Sequence, residues 1–137
     1  MTNNYLSPDL YRVIDANLNR LKEGIRVVED IIRYRDNDKE LSLHLKKLRH
    51  LASVEDTLLL LQYRDSINDV LRPSIESEKN RNDINAILSA NFKRAEESSR
   101  VLEELFKLQN ITNSEKFKHI RYELYDLEKK VLLTKSI

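Results

Sequence analysis

The stretch from Ile14 to Tyr34, IDANLNRLKEGIRVVEDIIRY, returns in degenerate form from Leu88 to Leu108, LSANFKRAEESSRVLEELFKL. At a constant offset the copies match at Ala16/Ala90, Asn17/Asn91, Arg20/Arg94, Glu23/Glu97, Arg26/Arg100, Val27/Val101 and Glu29/Glu103. Five of these seven matches are polar, so they say more than shared amphipathicity. Any two core-facing helices share an apolar period; repeated Asn, Arg and Glu need a further reason.

On a helical wheel of ~100° per residue, Leu10, Val13, Ile14, Leu18, Leu21, Ile25, Val28, Ile31 and Ile32 fall on one broad core arc. Asn17 and Gly24 lie inside it, Arg20 and Val27 on its shoulder, and Glu23 just beyond; Asn91, Ser98, Arg94, Val101 and Glu97 take the same places in the second copy. An Asn facing a core needs hydrogen-bond partners, since an unmet amide costs roughly 1 to 3 kcal/mol. Either Asn17 and Asn91 pair with each other or with nearby backbone and fix helix register, or they contact a ligand between the copies.

The repeat continues beyond each long helix, where Leu45 to His50 parallels Phe117 to Tyr122. Each half therefore reads as a helical hairpin. The expected fold is all-α, a duplicated hairpin forming a four-helix bundle with pseudo-two-fold symmetry. Residues 1–137 make one domain, with repeat 1 at about 8–63, a connecting loop at 64–80 and repeat 2 at about 81–135. Composition agrees. One Gly and two Pro in 137 residues are too few for β or glycine-loop nucleotide folds, and the absence of Cys excludes disulfides and thiolate zinc. A net charge of +1 gives no general nucleic-acid or acidic-membrane signal. The first ten residues have no basic start with an apolar run, and no stretch is long enough to span a bilayer, so a cytoplasmic protein is expected.

Ser7-Pro8-Asp9 opens the first helix, which runs to about Arg35. Asn37 with Glu40 resembles a capping box for a second helix at about 39–63, whose LLLLQY end is apolar all round and reads as buried on several sides. Periodicity stops between Arg64 and Asn80. A third helix spans about 81–109, and Thr112 with Glu115 suggests a capping box for a fourth at about 114–135.

The chemistry-bearing residues are mainly arginines. A guanidinium fork suits phosphate or carboxylate, and Arg20, Arg49, Arg64, Arg94 and Arg121 are candidate phosphate ligands, whereas Arg26 and Arg100 point further away and could instead stabilise the fold or serve an interface. The plainer reading is an intrahelical ladder, because Glu23 lies three residues from Arg20 and Arg26, and Glu97 three from Arg94 and Arg100. Asp65 and Asp69 in the connecting loop could hold Mg²⁺ with a nucleotide, or Asp65 could cap a turn. His44, His50 and His119 form no metal-ligand pattern.

Several runs together resemble a known family. Tyr11 to Arg20 followed by Glu23 to Asp30, then Leu48-Arg49-His50, Arg64-Asp65-Ser66, Asp69-Val70, Glu78 and Arg81, then Ala90-Asn91, Arg94, Glu97 and Arg100 to Glu104, and finally Arg121 to Tyr125, are similar to the helical domain in front of the barrel of some bacterial thiamine-phosphate synthases. That domain is regarded as a kinase converting hydroxymethylpyrimidine phosphate to the diphosphate. The resemblance implies a free-standing version, with ATP and Mg²⁺ as cofactors and a phosphorylated pyrimidine as substrate. A synthase barrel of ~200 residues or more has no room here. In that reading Asp65, Arg20 and Arg94 are catalytic, Asn17, Asn91, Arg49, Arg64, Glu23, Glu97 and Arg121 bind substrate or phosphate, and Asp65 and Asp69 bind Mg²⁺. Two positions depart from the family: Leu71-Arg72 stands where glycine usually follows Asp69-Val70, and Ser98-Ser99 replaces a more apolar pair. The alternatives are a non-catalytic module that binds a thiamine precursor or docks on a separate synthase barrel, and a structural helical homodimer. None involves nucleic acid or a membrane.

Overall fold

The computed structural model describes residues 5–134 and is helical throughout its ordered elements. The helices are α1 (Pro8–Tyr34), α2 (Lys39–Leu51), α3 (Thr57–Gln62), α4 (Glu76–Lys79), α5 (Ile84–Phe106) and α6 (Ile111–Thr134). Long α1 and α5 pack against each other most extensively, with α2 and α3 against α1 and α6 against α5. The bundle core is built from Ile14, Leu18, Leu21, Ile25, Val28 and Ile32 of α1, Leu45 and Leu48 of α2, Leu88, Phe92, Leu102 and Phe106 of α5, and Phe117, Ile120, Leu124 and Leu127 of α6. Each is at helical spacing within its element, so sequence period and burial agree. No helix among the described residues is long and apolar enough to cross a membrane.

Helix ends move from their expected places for local reasons. Asn37 adopts φ 52°, a left-handed geometry that an N-cap residue does not use, so Asp38 caps α2 instead and its Oδ1 accepts from Leu41 N–H at 3.0 Å. Asp83 Oδ1 accepts from Ala86 N–H at 2.8 Å and starts α5 at Ile84. Asn110 Oδ1 accepts from Asn113 N–H at 3.1 Å and starts α6 at Ile111, leaving Thr112 inside the helix. The end expected near Lys135 and the residues before Tyr5 lie outside the described residues.

The second helix does not run unbroken to Tyr63. At Ala52 the backbone turns out of the helix (φ −74°, ψ 65°), and the Ser53 carbonyl it releases accepts from the Lys116 ammonium of α6. The chain re-enters a helix at Thr57, turning Leu60 inward while Leu58 and Leu61 remain 81% and 55% exposed. The apolar run is therefore one-sided, not buried all round. The break also brings the Tyr63 ring into a stack with Tyr11, with centroids 6.0 Å apart. The serines at 98 and 99 are both buried, and Ser99 Oγ crosses from α5 to donate to the Phe117 carbonyl of α6 at 2.7 Å.

Candidate functional site

The arginines sort by what holds them. Arg49 on α2 grips Glu29 on α1 through Nε at 2.7 Å and a terminal nitrogen at 3.3 Å. At the corresponding positions, Arg121 on α6 donates twice to Glu103 on α5 at 3.1 and 2.9 Å. Glu29 is 1% exposed and Glu103 5%, so Glu29 would be a buried bare charge without Arg49, whereas Glu103 would keep Arg100 at 3.4 Å. Both guanidiniums thus fasten the second helix of a pair onto the first. Arg121 also lies 4.9 Å over the Tyr122 ring. Arg64 is held by Asp15 through two bonds of 2.7 and 2.8 Å.

The ladder expected through Glu23 and Glu97 does not form. Arg26 pairs with Asp30, and Arg100 with Glu103 and Glu104, acids at the same i,i+3 or i,i+4 spacing in the C-terminal direction. Glu23 instead acts by its charge on Arg64. Arg20 and Arg94 are exposed and form no ion pair among the described residues. In sequence they also adjoin a close contact between α1 and α5. Arg20 is one helical turn before Gly24, and Arg94 adjoins Ala95; a Cβ on Gly24 would stand 2.9 Å from the Asn91 carbonyl and 3.3 Å from the Ala95 Cβ.

At this seam Asn17 and Asn91 do not pair with each other. Each amide nitrogen donates at 2.9 Å to the carbonyl four residues back, Val13 for Asn17 and Ile87 for Asn91. One donor of each is therefore spent on its own helix, and the amide oxygen is the group left to face a neighbour or ligand. Val27 and Val101, the remaining matched pair beside them, are 37% and 36% exposed, as is Val13, which the wheel had placed in the core arc, at 39%.

The connecting loop is tied to α1 by the Arg64–Asp15 pair and by Arg12, whose guanidinium donates to the Asp65 carbonyl at 3.2 and 2.8 Å. The Asp65 carboxylate accepts from the Asn68 side chain at 2.8 Å and its backbone N–H at 3.2 Å. Those hydrogen bonds, the side-chain one foremost, hold its pKa below the ordinary value. Asp69 accepts from Leu71 N–H at 3.0 Å. Asp65 is thus an ionised carboxylate with lone pairs to spare, which fits a Mg²⁺ shared with phosphates and water rather than a protein cage. Among the described residues no three His, Cys, Asp or Glu converge on a metal site.

Sequence reasoning missed a second concavity. Where α3 meets the α5–α6 turn, Tyr11, Phe106 and Leu60 floor a small cleft of about 40 Å³ whose rim carries Glu55, Asp56 and Gln109. Gln109 donates to the Tyr11 hydroxyl at 3.3 Å. None of the sequence-predicted site residues lines it. It exists because α2 breaks at Ala52, and no local motif marks that break.

Fold and site together define an all-helical domain of two helix pairs, joined along a seam that carries the same Asn and Arg from each half. The comparisons place it more closely: the model of the ThiD2 family matches residues 12–130, and the chain belongs to that family. Thiamine-phosphate synthases of Nostoc punctiforme, a second Nostoc species and Synechocystis are 38%, 40% and 39% identical over 90%, 87% and 92% of this chain. The chain spans only 35%, 34% and 37% of the length of those curated relatives. No solved structure matches significantly.

Proposed function

We propose that this protein acts in thiamine biosynthesis by phosphorylating hydroxymethylpyrimidine phosphate to its diphosphate with Mg-ATP. The observation that carries the reading is the pair Arg20 and Arg94, at matched positions beside the α1–α5 crossing and without a carboxylate partner among the described residues, in a chain of the ThiD2 family. In this reaction a phosphate oxygen of the acceptor attacks the γ-phosphorus of ATP, a P–O–P bond forms, and ADP leaves. The attacking oxygen is already anionic, so no histidine base is required. The main barrier is repulsion between two polyanions, which positioned guanidiniums relieve.

In this scheme Arg20 and Arg94 grip the phosphates, and the oxygens of Asn17 and Asn91 accept from the amino group of the pyrimidine. Arg64 and Glu23 position the loop that presents Asp65. Mg²⁺, when bound, neutralises phosphate charge, with Asp65 and Asp69 as its protein ligands. Arg49 and Arg121 keep the helices in register beneath the site, and Glu97 is the second-copy counterpart of Glu23. The test is a coupled assay with hydroxymethylpyrimidine phosphate, Mg²⁺ and ATP, in which the diphosphate is trapped by an independent thiamine-phosphate synthase. Turnover that disappears in Arg20→Gln and in Asp65→Asn, with Tm unchanged, supports the kinase. Absence of turnover with substrate-induced thermal stabilisation would instead point to a binding module serving a separate synthase.

A further inference from the structure

The two helical hairpins differ at their turns. In the second, Ser114 of α6 donates its hydroxyl to the Glu103 carbonyl at 2.8 Å, and Lys107 is held by Glu104 at 2.7 Å. The corresponding residues of the first hairpin are Ser42 and Arg33, and where α6 begins with Ile111 the first hairpin has Lys39. Ser42 is 9% exposed, yet its Oγ has no hydrogen-bond partner among the described residues. Such a donor, buried and unmet, costs free energy in the empty state.

Ser42 lines an open cleft of about 320 Å³ together with Arg33, Lys39 and Lys46. None of these three cations forms an ion pair among the described residues; Arg33 rests only on the Tyr34 ring, 5.0 Å from its centroid. The two acids at the cleft are already engaged, Glu29 by Arg49 and Asp38 by the Leu41 N–H it caps. A cation at Arg33 would also complement the C-terminal dipole of α1. Lys46 sits in the body of α2, where no dipole explains it.

We propose that this cleft is a binding site for a phosphate group, with Arg33, Lys39 and Lys46 supplying charge and the Ser42 hydroxyl donating to a phosphate oxygen. A phosphate satisfies both features at once, since it is an anion with several strong acceptors. The second hairpin cannot offer the same site, because its serine is already bonded and its lysine neutralised. The site is separate from the α1–α5 seam and stands whether or not the seam turns over substrate.

The test is an amide-resolved NMR titration at low ionic strength with inorganic phosphate, pyrophosphate and phenyl phosphate. It uses the wild type, Lys39→Gln/Lys46→Gln, Ser42→Ala and Arg20→Gln/Arg94→Gln, each checked for folding by circular dichroism. Saturable shifts centred on residues 37–46 are expected in the wild type and in the Arg20/Arg94 variant. Binding should weaken at least ~10-fold in the lysine variant and several-fold in Ser42→Ala. Tighter binding of phenyl phosphate than of inorganic phosphate would mark an ester as the ligand, and equal binding would mark free phosphate. The proposal is overturned by no saturable shift, by undiminished affinity in the lysine variant, or by shifts that follow Arg20 and Arg94 instead.

Discussion

Gly24 of α1 lies so close to Asn91 of α5 that a Cβ on the glycine would sit 2.9 Å from the Asn91 carbonyl. Backbone, not a flexible side-chain tip, occupies the space. In an isolated helix Gly→Ala is stabilising by about 1 kcal/mol; here the two helices must part to admit a methyl group. Gly24→Ala is therefore expected to destabilise by about 1 to 3 kcal/mol, read as a lower Tm and urea midpoint. A higher Tm would show that the seam is looser than this contact requires.

Arg49→Met removes the partner of a carboxylate that is 1% exposed. An uncompensated buried charge costs about 3 kcal/mol or more. The double variant Glu29→Leu/Arg49→Met, which removes both charges, should recover most of that loss, and Glu103→Leu/Arg121→Met should behave alike. If Arg49→Met keeps wild-type stability and loses only substrate affinity, Arg49 is a ligand residue and not a helix fastener.

Arg20→Gln and Arg94→Gln should do the opposite. Both side chains are exposed and form no ion pair among the described residues, so stability should change by less than about 0.5 kcal/mol. Turnover or substrate affinity should fall at least ~10-fold, the worth of one lost charge-assisted contact. Kinetic constants beside Tm values for Arg49→Met, Arg20→Gln and Arg94→Gln separate the two classes.

Glu96 on α5 is 3% exposed, close to Glu128 of α6, and shares Lys93 with it at 3.3 and 3.1 Å. Burial first, then the hydrogen bond and charge of Glu128, push its pKa from 4.5 up to about 8, against the pull of Lys93. The folded state thus holds this proton more tightly than the unfolded chain. The resulting stabilisation is complete below pH 4.5 and is lost as pH rises through about 8. Glu96→Gln should leave stability at about pH 4.5 nearly unchanged and raise it at about pH 9 by roughly 1 to 3 kcal/mol. A stability curve for Glu96→Gln parallel to wild type across that range would refute the buried neutral carboxyl.

The helical class, the two long helices and the repeat of Asn and Arg at positions 17, 20, 91 and 94 were all legible in the sequence, because amphipathic period and a polar repeat are local properties of a chain. Gly24 was placed inside the core arc, but only the packing gave the reason, an approach that would put a Cβ 2.9 Å from the Asn91 carbonyl. Which arginine meets which acid was not legible. Along one helix Glu23 looks like the partner of Arg20 and Arg26, but Arg49 and Arg121 reach Glu29 and Glu103 from neighbouring helices, and burial makes those pairs the stronger. The break at Ala52 was equally hidden, since its released carbonyl is met by Lys116, more than 60 residues away. Sequence determined the helices and the residues that set the seam apart. Only tertiary packing decided which charges are consumed in holding the bundle and which are left without an ion pair among the described residues, because ion pairing depends on distances between helices that no single helix encodes.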